Sequence, residues 1–150
     1  MGHTYTKLIV HVVFSTKDRL PFLHQDRRPD VFSYMGGILR ALHCEPLQIN
    51  GMADHAHLAF TIPAAIPLAK VVGLVKGNTT RWCHESGIAG HSFAWQRGYS
   101  AFSVSASNLG KVTKYIANQE AHHRKATFQE ELIRFYKRHG IDYDDRYCWD

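Results

Sequence analysis

Asp54-His55-Ala56-His57-Leu58 places two histidines one residue apart inside an apolar run. On a β-strand alternate side chains share a face, so His55 and His57 project together and can grip one divalent metal ion. A chain with eleven histidines in 150 residues shows about one such pair by chance, so the pair needs a partner. Tyr115-Ile116-Ala117-Asn118-Gln119 supplies one. On a helix Tyr115 and Gln119 share a face, one turn apart, while Val112 and Ile116 turn to the core and leave the pair near the polar boundary. If that helix packs beside the histidine strand, one pocket gains two imidazoles, an amide oxygen and a phenol. A phenol with a pKa of about 10 is a poor nucleophile at neutral pH and needs help from its surroundings. A divalent ion on a phosphodiester oxygen polarises the phosphorus and offsets charge in the transition state. Attack by the phenol would leave a covalent phosphotyrosine and conserve the phosphodiester energy, so that a second DNA end can be joined. The combination points to breakage and rejoining of a nucleic acid more than to hydrolysis.

The elements that must hold these residues are legible in the apolar periodicity. Residues 5–14 read as a strand with Leu8, Val10, Val12 and Phe14 on one face. Residues 28–43 carry Val31, Tyr34, Met35, Ile38, Leu39 and Leu42 at helical spacing, with Gly36-Gly37 marking a close backbone approach. Asn50-Gly51 between two apolar runs predicts a hairpin turn, which puts the histidine pair on the second arm. Leu68, Val71, Val72, Val75 and Trp82 stripe a second helix, and residues 101–106 form a short strand. Ser107 caps a third helix running to about residue 123, and Thr127-Phe128-Gln129-Glu130 is a capping box opening a fourth that Gly140 ends. The order β-α-β-β-α-β plus two helices predicts an α+β, ferredoxin-like (RRM-like) antiparallel sheet with both crossover helices on one face. Residues 1–150 read as a single domain.

Composition narrows the class. Hydrophobic content of 45% and charged content of 21% are those of a folded globular chain rather than a disordered one. No apolar run approaches the roughly 20 residues that span a bilayer, and the start has no signal-peptide core. Three scattered cysteines are too few for a disulfide framework or a zinc cage. The expectation is a cytoplasmic protein with no membrane partner. The net charge of +5 permits a nucleic-acid partner, and its distribution is pointed. Residues 111–138 hold seven basic side chains against three acids, with Tyr115 among them, and an aspartate-rich tail follows.

Four stretches together resemble a known family. They are His11-Val12-Val13-Phe14 with Thr16-Lys17-Asp18-Arg19, the His55–His57 motif, Trp95-Gln96-Arg97-Gly98-Tyr99, and Phe102-Ser103-Val104-Ser105 leading to Tyr115–Gln119. In this order they resemble the HUH-type single-tyrosine transposases of bacterial insertion sequences (the insertion sequence 200/605 group) and relatives tied to repeated extragenic palindromes. The resemblance implies that His55 and His57 are metal ligands, that Gln119 completes the set, and that Tyr115 is the nucleophile. It would form a 5′-phosphotyrosine bond and free a 3′-hydroxyl. The resemblance further implies Mg²⁺ or Mn²⁺, single-stranded DNA with hairpin-forming palindromic ends, and a homodimer able to share active sites between subunits. A neutral amide ligand and no nearby cysteine fit such hard ions better than structural zinc. Ala56 departs from the family, whose middle position is usually bulkier.

Lys17, Arg19, Lys76, Arg81, Arg97 and Lys114 are the candidate phosphate contacts. Tyr99 and Trp95 are candidates for base stacking, whereas Trp82 and Phe102 read as core. Asp54 reads as a turn residue beside the ligands, and His122 and His123 as exposed or DNA-facing. Two other roles fit the pattern: a housekeeping endonuclease of the same type acting on dispersed palindromes, and a non-catalytic nucleic-acid-binding module. The second of these requires aromatic residues on an open sheet face.

Overall fold

The computed structural model describes residues 2–146 and 148–149. Strands β1 (Ile9–Ser15), β2 (Glu45–Met52), β3 (His55–Thr61) and β4 (Ser100–Val104) form one antiparallel sheet in the order β2-β3-β1-β4. Helices α1 (Arg28–Ala41) and α2 (Leu68–Ser86) are the two crossovers, as the ferredoxin-like order requires. They bury one sheet face, where Val12, Phe14, Leu58 and Phe60 pack against Met35, Leu39, Val71 and Val75. Alternation sends His11, Val13, His55, His57 and Phe102 to the opposite face.

That opposite face is not open. Helices α3 (Leu109–Ala117), α4 (Gln119–His123) and α5 (Phe128–Arg138) lie over it. Phe128, Leu132 and Tyr136 of α5 bury Val13 and Phe102 in a second apolar cluster. A binding-only module of the RRM kind needs that surface free for bases, so this sheet is built for something else. Thr127 caps α5 as expected, its hydroxyl oxygen accepting from the Glu130 amide at 3.2 Å. Gly140 follows α5 at φ 65°. Among the described residues no helix is long and apolar enough to cross a membrane.

The hairpin turn is not at Asn50-Gly51. Both residues lie inside β2, opposite His57 and Ala56, and the chain turns at Ala53 and Asp54. Neither of those residues has a positive φ. Instead the turn is held from outside, because the Ala53 and Asp54 carbonyls accept from Leu23 N–H (3.0 Å) and Thr16 N–H (2.8 Å). Gly51 serves close approach: a Cβ there would stand 2.1 Å from the His55 carbonyl oxygen and 2.9 Å from Ala56 Cα. The small Ala56 answers it across the ladder, fully buried. Gly36-Gly37 marks no such approach, since a Cβ on Gly36 meets only the Ile49 side chain at 3.6 Å and the Arg40 side chain at 3.8 Å, and one on Gly37 meets nothing within 4 Å. We therefore expect Gly51→Ala to cost about 3 kcal/mol by urea unfolding, because backbone must move. Gly37→Ala should gain about 0.5–1 kcal/mol from helix propensity. Equal midpoints for the two variants would refute the assignment.

The predicted third helix is also divided. Asn118 (φ −99°, ψ 30°) separates α3 from α4. Asn50 explains the break, because its side-chain amide donates to the Ile116 and Ala117 carbonyls, both at 3.1 Å. Those are helix-terminal acceptors that need a partner. Ser107 lies in a single 3-10 turn, Ala106–Asn108, and does not cap α3.

Candidate metal and nucleophile site

By ending α3, Asn50 also ties the C-terminus of the Tyr115 helix to β2 directly beside His57. His55 and His57 are 1% and 0% exposed. Each ring is oriented from behind. His55 Nδ1–H donates to Asp54 Oδ1 at 2.7 Å, and His57 Nδ1 lies 2.8 Å from His11 Nε2. Phe128 stacks on the His55 ring with centroids 4.4 Å apart. The Asp54 carboxylate fixes the His55 tautomer, and with both Nδ1 atoms occupied the two Nε2 atoms are directed to one point, as metal-binding histidines require.

Around that point stand five more side chains. Gln119 is fully buried rather than at the polar boundary, and its Oε1 lies 3.1 Å from His55 Nε2 and 3.0 Å from His123 Nε2. Glu131 of α5, 1% exposed, sets Oε1 at 2.7 Å from His57 Nε2 and 3.6 Å from His55 Nε2. Its other oxygen accepts a short hydrogen bond from the Tyr115 hydroxyl and lies 3.2 Å from His123 Nε2 and 3.0 Å from His122 Nε2. The structure therefore brings Tyr115, His55, His57 and Gln119 together within one chain. His123 belongs to this site instead of being exposed, and His122 joins it while also lining the clefts above it. Glu131 and His11 were not anticipated. Glu131 is the one acid on the buried stripe Phe128, Leu132, Tyr136, and His11 the one polar residue facing inward on β1 between Ile9 and Val13.

Electrostatics follow from burial. Burial would raise the Glu131 pKa, but hydrogen bonds with His123 and His57 and the electrostatic influence of the His57 and His55 rings hold it far below the usual carboxylate range. Glu131 is thus an anion. Burial, and then the charge of Glu131, push the Tyr115 phenol well above its ordinary range. Burial lowers His57 and, more strongly, His11, so both rings are neutral at pH 7 and able to ligate or accept. Asp54 is pulled down by its bond to His55 although burial opposes it.

Two clefts open onto Tyr115. One of about 310 Å³ lies between α3 and α5 and is lined by Lys111, Arg134 and Arg138, with Tyr115, His122 and Glu131 at its floor. The other, about 440 Å³, runs between α3 and α4 and is lined by Lys111, Lys114 and Lys125. Tyr115, His122 and Lys111 are common to both. A larger cavity, about 920 Å³, is elsewhere, outside β2 against α1, and holds none of these groups.

The candidate phosphate contacts divide. Lys114 borders Tyr115. Lys76 is engaged inside the protein instead. Its ammonium donates to the carbonyls of Gln96 (2.7 Å), Arg97 (3.2 Å) and Gly98 (2.8 Å) and sits over the Phe14 ring, and burial lowers its pKa to about 8. It pins the loop that displays the exposed side chains of Arg97 and Tyr99. The Arg19 guanidinium lies against the Gln129 amide oxygen, at 2.6, 3.0 and 3.1 Å. Lys17 and Arg81 are exposed, Arg81 bonded to Asn78. Trp95 is buried between Phe14 and Phe93, so no base can stack on it.

Residues 4–119 match the family model described as "Transposase IS200 like". The chain belongs to the IS200-like transposase family. The transposases for insertion sequence element IS200 of Salmonella typhimurium and Salmonella typhi are each 26% identical to it over 124 residues, covering 79% of this chain and 81% of theirs. Among solved structures, a candidate transposase from Deinococcus radiodurans superposes with a TM-score of 0.62 at 22% identity, over 79% of this chain and 96% of its own. A REP-associated tyrosine transposase bound to a REP hairpin gives a TM-score of 0.62 at 14% identity, over 90% of this chain and 86% of its own. Membership makes this chain a DNA-transposing enzyme by family. The IS200-like match ends at Gln119, so His123 and the whole of α5 lie beyond it.

Proposed function

We propose that this transposase nicks and rejoins single-stranded DNA through a covalent phosphotyrosine at Tyr115, assisted by a divalent metal ion held by His55, His57 and Gln119. The observation that carries the reading is the shared carboxylate. Glu131 touches the Tyr115 hydroxyl with one oxygen and His57 with the other, so nucleophile and metal donors are one construction. The donors fit an ion: two imidazoles with converging Nε2 atoms and an amide oxygen, all buried, beside the buried Glu131 carboxylate. When bound, the ion supplies Lewis-acid polarisation of the scissile phosphate.

The chain's own residues do the rest. Cations on both sides of Tyr115 (Lys114 and Lys125 in one cleft, Arg134 and Arg138 in the other, Lys111 in both) suit a phosphodiester backbone passing over the tyrosine. Tyr115 Oη attacks the phosphorus, the bond to the 3′-oxygen breaks, and a 5′-phosphotyrosine and a free 3′-hydroxyl result. The resting hydrogen bond from Tyr115 to Glu131 Oε2 is aligned with the path on which the phenol proton departs. Attack by the 3′-hydroxyl of another strand reverses the step and reseals the DNA. A site assembled within one chain supports cleavage by a single subunit, with the expected homodimer serving to bring two ends together. The hairpin carried by the REP-associated structure supports a palindromic single strand as substrate.

The test is incubation with a hairpin-bearing single strand from the ends of its own element, plus Mn²⁺. A covalent protein–DNA adduct mapping to Tyr115 is expected. Tight binding with no adduct would overturn the enzymatic reading in favour of a binding module.

A further inference from the structure

We infer that His123 and Glu131 complete the metal centre, making a three-imidazole, two-oxygen donor set that takes a first-row transition ion in preference to Mg²⁺. This rests on the reading of His55, His57 and Gln119 as ligands, and extends it with two residues from outside the family-matched segment.

Geometry comes first. Donors bonded to one six-coordinate ion at about 2.1–2.2 Å lie about 3 Å apart when adjacent and about 4.3 Å apart when opposite. Gln119 Oε1 lies 3.1 Å from His55 Nε2 and 3.0 Å from His123 Nε2, while Glu131 Oε1 lies 2.7 Å from His57 Nε2 and 3.6 Å from His55 Nε2. One ligand atom from each of His55, His57, His123 and Glu131 falls within 4.8 Å of all the others. Four donor atoms thus cluster tightly enough to share one ion, and the fifth, Gln119 Oε1, lies at adjacent-ligand spacing from two of them.

Charge points the same way. Glu131 is a carboxylate at 1% exposure, and among the described residues no lysine or arginine forms an ion pair with it. A buried anion with no permanent cation beside it is costly, and a divalent ion among the same donors removes that cost. Helix α5 is anchored so that the carboxylate cannot drift, with Phe128 stacked on His55 and Leu132 and Tyr136 in the second apolar cluster. His123 is placed by the break at Asn118, which restarts the helix and puts it one turn beyond Gln119 on the same face.

Donor chemistry then selects the ion. Mg²⁺ favours oxygen and retains water, whereas imidazole suits the first-row transition ions. A set of two imidazoles and one amide is consistent with Mg²⁺ or Mn²⁺. Three imidazoles are not a magnesium site.

Mn²⁺ binding to the full chain, followed by loss of the free-ion electron paramagnetic resonance signal, tests this. One Mn²⁺ should bind per chain and resist a hundredfold excess of Mg²⁺. Glu131→Gln, which keeps the side-chain volume and one acceptor oxygen but removes the charge, and His123→Ala should each weaken Mn²⁺ binding by about 10–100-fold. His55→Ala is the control for the underlying reading. Binding lost in His55→Ala but unchanged in both other variants would overturn the inference and leave that reading standing. No Mn²⁺ binding by the wild type would overturn both. Should a variant fail to fold, pulsed resonance of the Mn²⁺-loaded wild type decides by counting coordinated imidazole nitrogens: three support the inference, two overturn it.

Discussion

Replacing Tyr115 by phenylalanine abolishes the covalent adduct, a loss of at least about 10⁴-fold, while affinity for the same single strand stays within about twofold of wild type. The magnitude follows from chemistry: without the phenol oxygen there is no nucleophile, and no other group in the site can take its place. Most of the ring's packing survives, because phenylalanine keeps the edge contacts with His57, His122 and Phe135, whose centroids lie 5.9, 4.9 and 5.6 Å away. Glu131 loses one of several donors, so stability should fall by about 1 kcal/mol. Tyr99→Phe is the matched control, since Tyr99 is exposed on the pinned loop and should leave the adduct yield unchanged. Burial and the negative charge of Glu131 keep the Tyr115 phenol protonated at neutral pH, so no adduct should form without added metal. Gel mobility under denaturing conditions reads all three variants of the experiment. An undiminished adduct from Tyr115→Phe would remove Tyr115 as the nucleophile.

What could be read in the sequence was local. The His55–His57 and Tyr115–Gln119 spacings are set by the strand and helix repeats themselves, so their shared faces survive any error about tertiary structure. Contacts made across the fold were illegible. Glu131 meets His57 across 74 residues, and nothing in α5 alone distinguishes a site carboxylate from a solvated one except its place on an apolar stripe. The Asn50-Gly51 pair misled for a related reason. Its composition signals a turn, yet Asn50 caps a helix 66 residues away and Gly51 admits a neighbouring strand. Break and turn alike were decided by partners that local propensity does not contain. Basic residues show the same limit: Lys76 is identical in composition to a phosphate contact and is a loop clamp by position.

A variant carrying both His55→Ala and His57→Ala loses metal-dependent cleavage entirely but keeps salt-sensitive DNA binding. The two effects separate because the cations proposed to bind the strand line the clefts beside α3, α4 and α5, whereas the histidines sit on β3 beneath them. Truncating two buried rings strips partners from Asp54, His11, Gln119 and Glu131 and unstacks Phe128, at a cost of about 3–5 kcal/mol. Lost activity alone would therefore not distinguish ligation from unfolding. A chelator separates them. Wild type stripped with EDTA should be as inactive as the double variant yet regain full adduct yield on adding Mn²⁺, whereas the variant, checked for folding by circular dichroism, should not respond to any Mn²⁺ concentration. The affinity of both for single-stranded DNA should fall with the same slope against salt, since neither treatment touches the cations. Cleavage that persists in EDTA would show that the imidazoles hold the strand and α5 together without holding a metal, and the site would then have to act on phosphate through Tyr115 and its surrounding cations alone.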